Sequence, residues 1–434
     1  MPSPKSIRAL LLLLCATLSA LAFPAHAKPQ SATPYATQYL AAARRTLISV
    51  QNNAPQINRV AELIAARHLK GGMIGSVFHG QSLEEELTGR AGGLTHMGFD
   101  RAWSRDRTPE MNAHNVAFIG WERAPAPADL ATLQKLHDEK TYIVGFGPRR
   151  LPALANHVKL CDAFFDTGFG ADDRVVKLKG GAKAGHANLL VNMLNGWTLT
   201  GEIVAALTRQ GQMPTMWKSW MYPEGREWSD KYFGKTQFHD DFIIAPIPAG
   251  TLTRAYLQEI RANITRFETQ LPQVATAAAQ IADELKAGRK TLVATQGHAP
   301  FRYVGYYEDA RWTTLVDFDG SSEAHIGAMR ATPDGALVLR LGYHGLRQNE
   351  AAVLAEKKQR VLLVTVPTPR PEFQPPPGIP LTIDMGWTYG DAAVPIAGYP
   401  INVLPPSGIM QIIAYESINT EVLSRLPKEP EARP

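Results

Sequence analysis

Cysteine is nearly missing from this sequence of 434 residues, which contains only Cys15 and Cys161. Cys15 lies in an N-terminal segment that we expect to be removed, which leaves one thiol and excludes an internal disulfide. After position 23 no apolar run approaches the roughly 20 residues that a transmembrane helix needs, so the pattern predicts no such helix. Lys and Arg number 45 against 40 for Asp and Glu, without a basic cluster. A nucleic-acid partner is therefore not supported.

Several catalytic motifs are missing as well. The sequence has no G-x-x-x-x-G-K-[ST] phosphate loop and no G-x-S-x-G nucleophile elbow. It also has no H-E-x-x-H segment and no other cluster of spaced histidines. These absences argue against a kinase, an α/β-hydrolase and a zinc hydrolase, and we expect neither a metal ion nor a cofactor.

The N-terminal segment 1–27 has the pattern of a secretory signal peptide. Lys5 and Arg8 form a basic start, an apolar segment covers residues 9–23, and residues 25–27 (AHA) supply small residues for cleavage. We therefore expect a periplasmic or secreted protein in which residues 28–37 are a polar linker. A membrane anchor over residues 9–23 is the alternative.

A repeat follows this N-terminal segment. The stretches that begin at Tyr39 and Tyr256 align without a gap and share ten identities over 42 positions. The identical positions of the first stretch are Tyr39, Leu40, Arg44, Pro55, Gln56, Ala61, Ile64, Ala65, Gly71 and Gly80. The period, which is the distance from Tyr39 to Tyr256, is too long for a solenoid or a propeller, so it indicates two copies of one domain.

Helical and strand-like segments alternate in the same order in both copies. Residues 39–70 have helical apolar spacing that Pro55 interrupts, and the strand-like MIGSVF follows. Short buried strands alternating with helices favour parallel sheets with helices on both faces. We therefore predict two tandem three-layer α/β/α domains of flavodoxin-like topology, paired as a pseudo-dimer. They span residues 38–245 and 246–427, and residues 428–434 form a polar tail.

Two stretches carry a family resemblance. LKGGMIGSVFHGQSLEEELTGRAGGL and LNGWTLTGEIVAALTRQGQMP resemble the bacterial phosphosugar-binding branch of the SIS (sugar isomerase) superfamily. The resemblance covers residues 38–225 and, more faintly, 254–427. It implies an α/β fold whose loops bind a phosphosugar and whose sites form across paired subunits. A small sugar or anionic sugar derivative is thus the implied partner.

The loops that hold phosphate in the SIS superfamily depart from its pattern here. The family serine of the first loop corresponds to Gly80 or to Ser82, depending on the alignment. The second loop, WERAPAPADL, contains no hydroxyl group, and neither does its counterpart YHGLRQNEA. The arginine in each loop could bind an anion or simply lie on the surface. The predicted ligand-binding residues are Gly80, Gln81, Ser82, Arg123, Gly297, His298, Arg347 and Ser407.

Histidine or glutamate would supply acid–base chemistry. His79 and His298 lie one residue apart in the aligned turns, and sugar isomerisation needs a base that moves a proton between neighbouring carbons. Glu85 lies between two other glutamates in a first helical turn, where negative charge also suits the helix dipole. We predict His79 and Glu85 as catalytic residues, with capping of the turn as the alternative for the histidines.

Three further features allow two interpretations each. Glu202 and Glu421 occupy matching positions in the last helix of each copy, which correspond to a position of the family helix, and simple exposure is the alternative. The aromatic segment 217–238 either forms a sugar-binding wall or packs the two domains together. The sequence FHDD at 238–241 either supplies an acid–base or metal-binding histidine or is a solvated loop, which we favour.

We expect a protein that binds a sugar or an anionic sugar derivative, with its main site in the first copy. Isomerase-type activity between aldose and ketose is an option. The alternative is a scaffold that has lost catalysis and acts through protein contacts, and a hydrolase that uses His239 is more distant. A homo-oligomer is compatible with the pattern.

Overall fold

The computed structural model describes residues 33–77, 81–97, 113–289, 291–298, 303–304, 312–316, 323–371, 374–375 and 379–427. The signal-peptide segment, His79, Gly80 and the polar tail lie outside these residues. Export of the protein and the roles of His79 and Gly80 therefore stay predictions.

The first half of the chain forms a sheet with helices on both sides. Its elements are α1 (Pro34–Asn52), α2 (Ala54–His68), β1 (Ile74–Ser76), α3 (Leu83–Leu87), β2 (Val116–Gly120), α4 (Pro127–Asp138), β3 (Tyr142–Gly147), β4 (Ala163–Asp166), β5 (Val176–Lys177), β6 (Lys183–Ala184), α5 (Asn188–Arg209) and α6 (Gly225–Tyr232). Two short 3₁₀ turns, Pro152–Leu154 and Val158–Leu160, lie between β3 and β4.

The second half follows a related order, with one described strand more after its first strand and, among the described residues, no counterpart of the β5–β6 hairpin or of α6. Its elements are α7 (Thr251–Glu268), α8 (Leu271–Lys286), β7 (Thr291–Thr295), β8 (Trp312–Val316), α9 (Glu323–Ala331), β9 (Leu337–Leu341), α10 (Gln348–Glu356), β10 (Arg360–Thr365), β11 (Leu381–Asp384) and α11 (Ser407–Arg425). Helices α1 and α7 start at Pro34 and Thr251, which are related by the same offset as Tyr39 and Tyr256 in the sequence repeat.

Each half has one all-parallel sheet. The first sheet has the order β1-β2-β3-β4. The second has the order β11-β10-β9-β7-β8, which from the other edge is the 2-1-3-4-5 order of flavodoxin-like folds. In such a sheet the strand order reverses between the first and third strands, here β7 and β9. Ligands of open α/β sheets bind at this reversal, outside the carboxyl ends of the strands.

Proline positions explain the helical start of the first half. Pro55 lies in the first turn of α2, where a missing N–H costs nothing, so the predicted break after α1 is confirmed. Pro34 is the first residue of α1, again at a favoured position. The helix consequently begins inside the segment 28–37 that was predicted to be a polar linker.

The two halves share one hydrophobic core. The last helix of each half packs against the first helix of the other, α11 on α1 and α5 on α7. All residues of α5 from Asn188 to Thr208 are buried, which suits a helix surrounded by other elements. Smaller clusters lie under α4 in the first half and under α9 and α10 in the second. The helices shared by both halves therefore hold the pseudo-dimer together.

Glu202 and Glu421 lie in these helix contacts between the two halves and are buried. The Glu202 carboxylate accepts hydrogen bonds from the backbone N–H groups of Gly250 (2.7 Å) and Thr253 (3.0 Å) at the start of α7. Glu421 accepts from those of Tyr35 (2.9 Å) and Ala36 (3.0 Å) at the start of α1. Each glutamate satisfies orphan N–H groups of the first helix of the other half. The exposed interpretation was wrong, and a capping role replaces it.

Candidate functional site

Three loops of the first half meet at the carboxyl edge of its sheet. They follow β1, β2 and β4, and the N-terminus of α5 lies against them. Parallel strands necessarily bring these loops together, because all of the carboxyl ends point to one edge. This edge is the candidate functional site.

A buried carboxylate from the loop after β2 binds the loop after β1. Glu122 accepts hydrogen bonds from the backbone N–H of Ser82, at 3.0 and 3.2 Å to its two oxygens, and from the Ser82 hydroxyl at 2.9 Å. Its own backbone N–H donates to the Gln81 side chain at 3.2 Å. All three side chains are at most 2% exposed. The donors that a phosphate would use in this loop are thus satisfied by the protein's own anion.

The pKa of the Glu122 carboxyl group is well above that of an ordinary glutamate. Burial raises the pKa of its carboxyl group most strongly, and the charge of Glu84 adds to the increase. The hydrogen bonds from Ser82 and the charge of Arg123 lower the pKa but do not offset the burial, so it reaches about 7. A carboxyl group with this pKa can both release and accept a proton near neutral pH.

Asn188, the first residue of α5, connects the loops of this edge. Its side-chain amide donates to the backbone carbonyl of Glu122 at 3.2 Å and accepts from the Thr167 hydroxyl at 2.7 Å. Its backbone N–H donates to the Asp173 carboxylate at 2.7 Å. The Ser82–Glu122 pair is therefore held in one network with the start of α5.

A histidine–carboxylate pair lies at the same helix start. Nδ1 of His186 is 2.6 Å from Asp173 Oδ1, while Asp173 Oδ2 accepts from the backbone N–H of Ala187 at 3.0 Å. Burial lowers the His186 pKa, but the hydrogen bond to Asp173 and the charges of Glu416 and Asp173 outweigh it, and the pKa is raised. The His186 side chain is 22% exposed, so solvent and solutes reach this pair.

The second half contributes to this pair. Glu416 of α11 is buried, and the Tyr303 hydroxyl donates a hydrogen bond to it. Burial raises the pKa of Glu416, while the charge of His186 opposes the increase. From the first half, the Tyr39 hydroxyl donates to the backbone carbonyl of His186 at 2.8 Å. The pair therefore lies where the two halves meet.

At the corresponding edge of the second half, an arginine and not a histidine lies beside the aspartate. Asp391 accepts from the backbone N–H of Ser407 at 3.2 Å, as Asp173 does at the start of α5. Arg90 reaches across from the first half, lies 3.2 Å from Asp391, and donates to the hydroxyl groups of Tyr343 and Ser407. Arg90 is 2% exposed, so its guanidinium fills this edge. The imidazole–carboxylate pair is found at the first edge, and a permanently charged guanidinium at the second.

The structure brings some of the predicted site residues together. Gln81 and Ser82 contact Glu122, and the charge of Arg123 acts on the same carboxyl group. Glu85 is buried in α3, and its backbone carbonyl lies 2.9 Å from Nδ1 of His298 in the second half.

Other predicted site residues lie at the second edge. Gly297 has a φ of 140°, and a Cβ there would lie 2.6 Å from Gln411 Oε1, so glycine is required for packing. Ser407 binds Arg90, whereas Arg347 lies at the start of α10, where its N–H donates to Glu350 at 3.0 Å. The predicted ligand set is thus divided between the two edges.

The histidine of FHDD is buried and not solvated. His239 is 7% exposed, and its nitrogens lie 2.9 Å from Asp241 and 2.9 Å from the Tyr399 hydroxyl. The aromatic rings of Trp228, Tyr232 and Tyr399 surround it. The solvated-loop interpretation was wrong for His239. Its contact with Tyr399 joins the segment after α6 to the second half.

Residue-by-residue inspection of the sequence missed Glu122, Asp173, His186 and Glu416. A weak signal existed for Glu122, since it is the first carboxylate after the strand VAFIG. Asp173 and His186 flank the short β5–β6 hairpin, and only folding of that hairpin brings them together.

The described residues include no candidate metal site and no candidate membrane-spanning helix. No group of three His, Cys, Asp or Glu side chains in that part of the chain could hold a metal ion. Among the described helices, none is long and apolar enough to cross a membrane.

Comparison with known structures identifies the fold. A Salmonella typhimurium LT2 protein assigned as a sugar-binding protein matches with a TM-score of 0.50 and 10% identity, over 91% of this chain and 100% of that chain. A Clostridium difficile 630 protein assigned as a phosphosugar isomerase has a TM-score of 0.47 and 10% identity, over 92% and 96% of the two chains. No protein-family model and no curated protein matches. Together with the strand order, the first match shows that the chain shares a flavodoxin-like α/β fold with that protein, and the helix contacts pair the two halves as a pseudo-dimer within one polypeptide.

Proposed function

We propose that this protein binds a sugar or an anionic sugar derivative at the carboxyl edge of the first sheet, beside the Asp173–His186 pair. The observation that carries the proposal is this pair itself, which is partly open to solvent and faces Glu416 of the other half. The sugar-related assignments of the structurally similar proteins are consistent with it.

The chemistry of the edge suits a polyhydroxylated ligand. His186 presents an imidazole to solvent at this helix start, and the buried Asn188 and Thr167 hold the loops behind it in place. A protonated His186 would stabilise negative charge on a ligand oxygen or on a ligand anion. His186, whose side chain is 22% exposed, is the group of this edge that could move a proton on a ligand, since Glu122 is only 2% exposed. Isomerase-type proton transfer is therefore the activity that we propose to test first.

The position of Glu122 bears on the ligand's charge. An ionised Glu122 already accepts the hydrogen bonds of Ser82, so a phosphate at that loop would meet a like charge and lose its donors. We propose that any anionic group of the ligand contacts His186 rather than Ser82. Neutral and amino sugars belong in the ligand screen for the same reason.

The scaffold alternative draws support from the second half alone. Arg90 places a buried guanidinium against Asp391 at the edge of that sheet. We propose that the two halves differ in role, with binding in the first and a structural contact in the second.

The experiment is calorimetric titration of the purified protein with glucose, glucosamine, gluconate, glucose 6-phosphate and glucosamine 6-phosphate. Proton NMR of each mixture would follow conversion between aldose and ketose. We expect at least one of these sugars to bind, and His186→Asn to weaken that binding about tenfold to a hundredfold. This range corresponds to about 1.5–3 kcal/mol for a hydrogen bond to a charged group.

His137→Asn is the matched control. His137 lies on α4, is exposed, and contacts one backbone carbonyl at 3.2 Å, so its replacement should leave binding unchanged. Binding equal to wild type in His186→Asn, with an unchanged melting temperature, would overturn the assigned site. The absence of binding by all five sugars at millimolar concentration would favour the scaffold.

A further inference from the structure

Three large aromatic side chains are exposed on residues 220–233, a short segment that follows α5. Trp220 is 57% exposed, Tyr222 is 39% exposed and Phe233 is 38% exposed. We call these three residues the aromatic surface. Single exposed apolar residues are normal, but three aromatic residues so close together in the chain indicate a binding function.

The aromatic surface is ordered by its neighbours. The Trp217 ring lies 6.4 Å from that of Trp220 and 4.7 Å from that of Phe233. Trp217, Trp220 and Phe233 therefore form one continuous group of rings. The indole N–H of Trp220 donates to the Ser229 hydroxyl at 2.9 Å, and the Arg226 guanidinium lies 4.7 Å from the Trp220 ring centre. The rings are therefore held in place before any ligand arrives, which lowers the entropic cost of binding.

A cavity of about 270 Å³ adjoins the aromatic surface. Its lining from the first half is Lys218, Ser219 and Tyr222, and from the second half it includes Gly390, Ile401 and Asn402. Gly390 has a φ of 108°, which favours glycine, and the Tyr222 ring packs closely over it. Ligand pockets commonly have volumes of about 300–1,000 Å³, so this cavity suits a small unit such as one sugar ring.

The chemistry of this region favours an uncharged, polyhydroxylated ligand. Aromatic faces take the apolar C–H faces of a sugar ring, while the ammonium of Lys218, the Tyr222 hydroxyl and the Asn402 amide lie near enough to meet its hydroxyl groups. Charges in residues 217–233 balance, with three cations (Lys218, Arg226, Lys231) and three carboxylates (Glu224, Glu227, Asp230). This balance gives no attraction to a strongly charged partner.

We propose that the aromatic surface and the adjoining cavity bind a neutral oligosaccharide. One sugar unit occupies the cavity beside Tyr222, and neighbouring units lie against Trp220. This site is separate from the Asp173–His186 edge and does not depend on the function proposed there, since it uses different residues and a different type of surface.

The test is titration of the full-length protein with cellohexaose, chitohexaose and maltohexaose, followed by tryptophan fluorescence. Trp220 is largely exposed, so binding should shift its emission to shorter wavelength and protect it from iodide quenching. Each ring contributes about two- to tenfold in affinity, so Trp220→Ala/Tyr222→Ala should weaken binding about four- to a hundredfold. The His186→Asn variant should bind the hexasaccharides as wild type does.

Ile243→Ala is the matched control, because Ile243 is 99% exposed but lies outside the aromatic surface. It should bind the hexasaccharides with unchanged affinity. No binding by any of the three hexasaccharides would overturn the proposal. So would a wild-type protein that self-associates in light scattering, if Trp220→Ala makes it monomeric, because the surface would then join two copies of the chain.

Discussion

At Glu122, burial and hydrogen bonding act in opposite directions on one carboxyl group. Ser82 donates two hydrogen bonds that favour the ionised form, yet burial holds the pKa near 7. The folded protein therefore keeps a proton on Glu122 between pH of about 4.5 and 7, where the unfolded chain has released it. The stability contributed by this group consequently falls as the pH rises through that range.

Glu122→Gln should flatten this pH dependence. The shift from 4.5 to about 7 corresponds to up to about 3 kcal/mol between pH 4.5 and 8, with more of the change below pH 7. Urea denaturation at pH 5, 6, 7 and 8 gives the free energy of unfolding at each pH, and hence its slope with pH. A change in stability that the new amide causes equally at every pH does not alter this slope. Glu139→Gln, a control on a partly exposed carboxylate paired with Lys135, should keep the wild-type slope. An unchanged slope in Glu122→Gln would show that Glu122 is ionised throughout.

Several residues that lie together at this edge were predicted from the sequence, but the buried carboxylate among them was not. Gln81, Ser82 and Arg123 were predicted because they follow strands of a parallel sheet, and the structure does bring them together. Glu122 escaped prediction because a carboxylate in a loop is ordinarily solvated, and its partner Ser82 lies 40 positions away. Burial of a charge depends on tertiary packing that no local pattern reports.

At the scale of elements, each half completes the other's first helix. Glu202 of α5 caps α7, and Glu421 of α11 caps α1. The matching positions of the two glutamates were visible in the repeat, as were the helices themselves, because apolar spacing and proline positions are local signals. Which helix each glutamate caps could not be predicted, because the glutamate and the helix belong to different halves. Glu202 and Gly250 are 48 positions apart, and Glu421 and Tyr35 are 386 positions apart.

Removing one cap should destabilise the whole chain. Glu421→Ala leaves the N–H groups of Tyr35 and Ala36 without an acceptor, which should cost about 1–2 kcal/mol of unfolding free energy. Glu268→Ala is the control, because Glu268 also joins α7 to α1 through Arg44, at 2.7 Å, but is partly exposed and should cost less than about 1 kcal/mol. Equal losses in the two variants, measured by urea denaturation, would contradict the capping role of Glu421.

At the scale of the molecule, two equivalent edges have acquired different occupants. Asp173 and Asp391 bind the starts of α5 and α11 in the same way, but the first is paired with His186 and the second with Arg90. A partly exposed imidazole can respond to a ligand or to pH, whereas a buried guanidinium stays charged. The sequence repeat predicted the pseudo-dimer but not this division, because the cation of the second edge comes from the first half.

Arg90→Ala should separate the unfolding of the two halves. The variant leaves Asp391 and Glu86 buried without their cation, which typically costs about 3–5 kcal/mol, and it removes a contact that joins the halves. Arg340→Ala is the matched control, because Arg340 is equally buried and bonds Glu350 at 2.9 Å, but both residues belong to the second half. Both variants should lower the melting temperature in scanning calorimetry. Only Arg90→Ala should split the transition in two and expose the segment between α6 and α7 to proteolysis. A single transition in Arg90→Ala, shifted as far as in Arg340→Ala, would mean that Arg90 stabilises its edge without coupling the two halves.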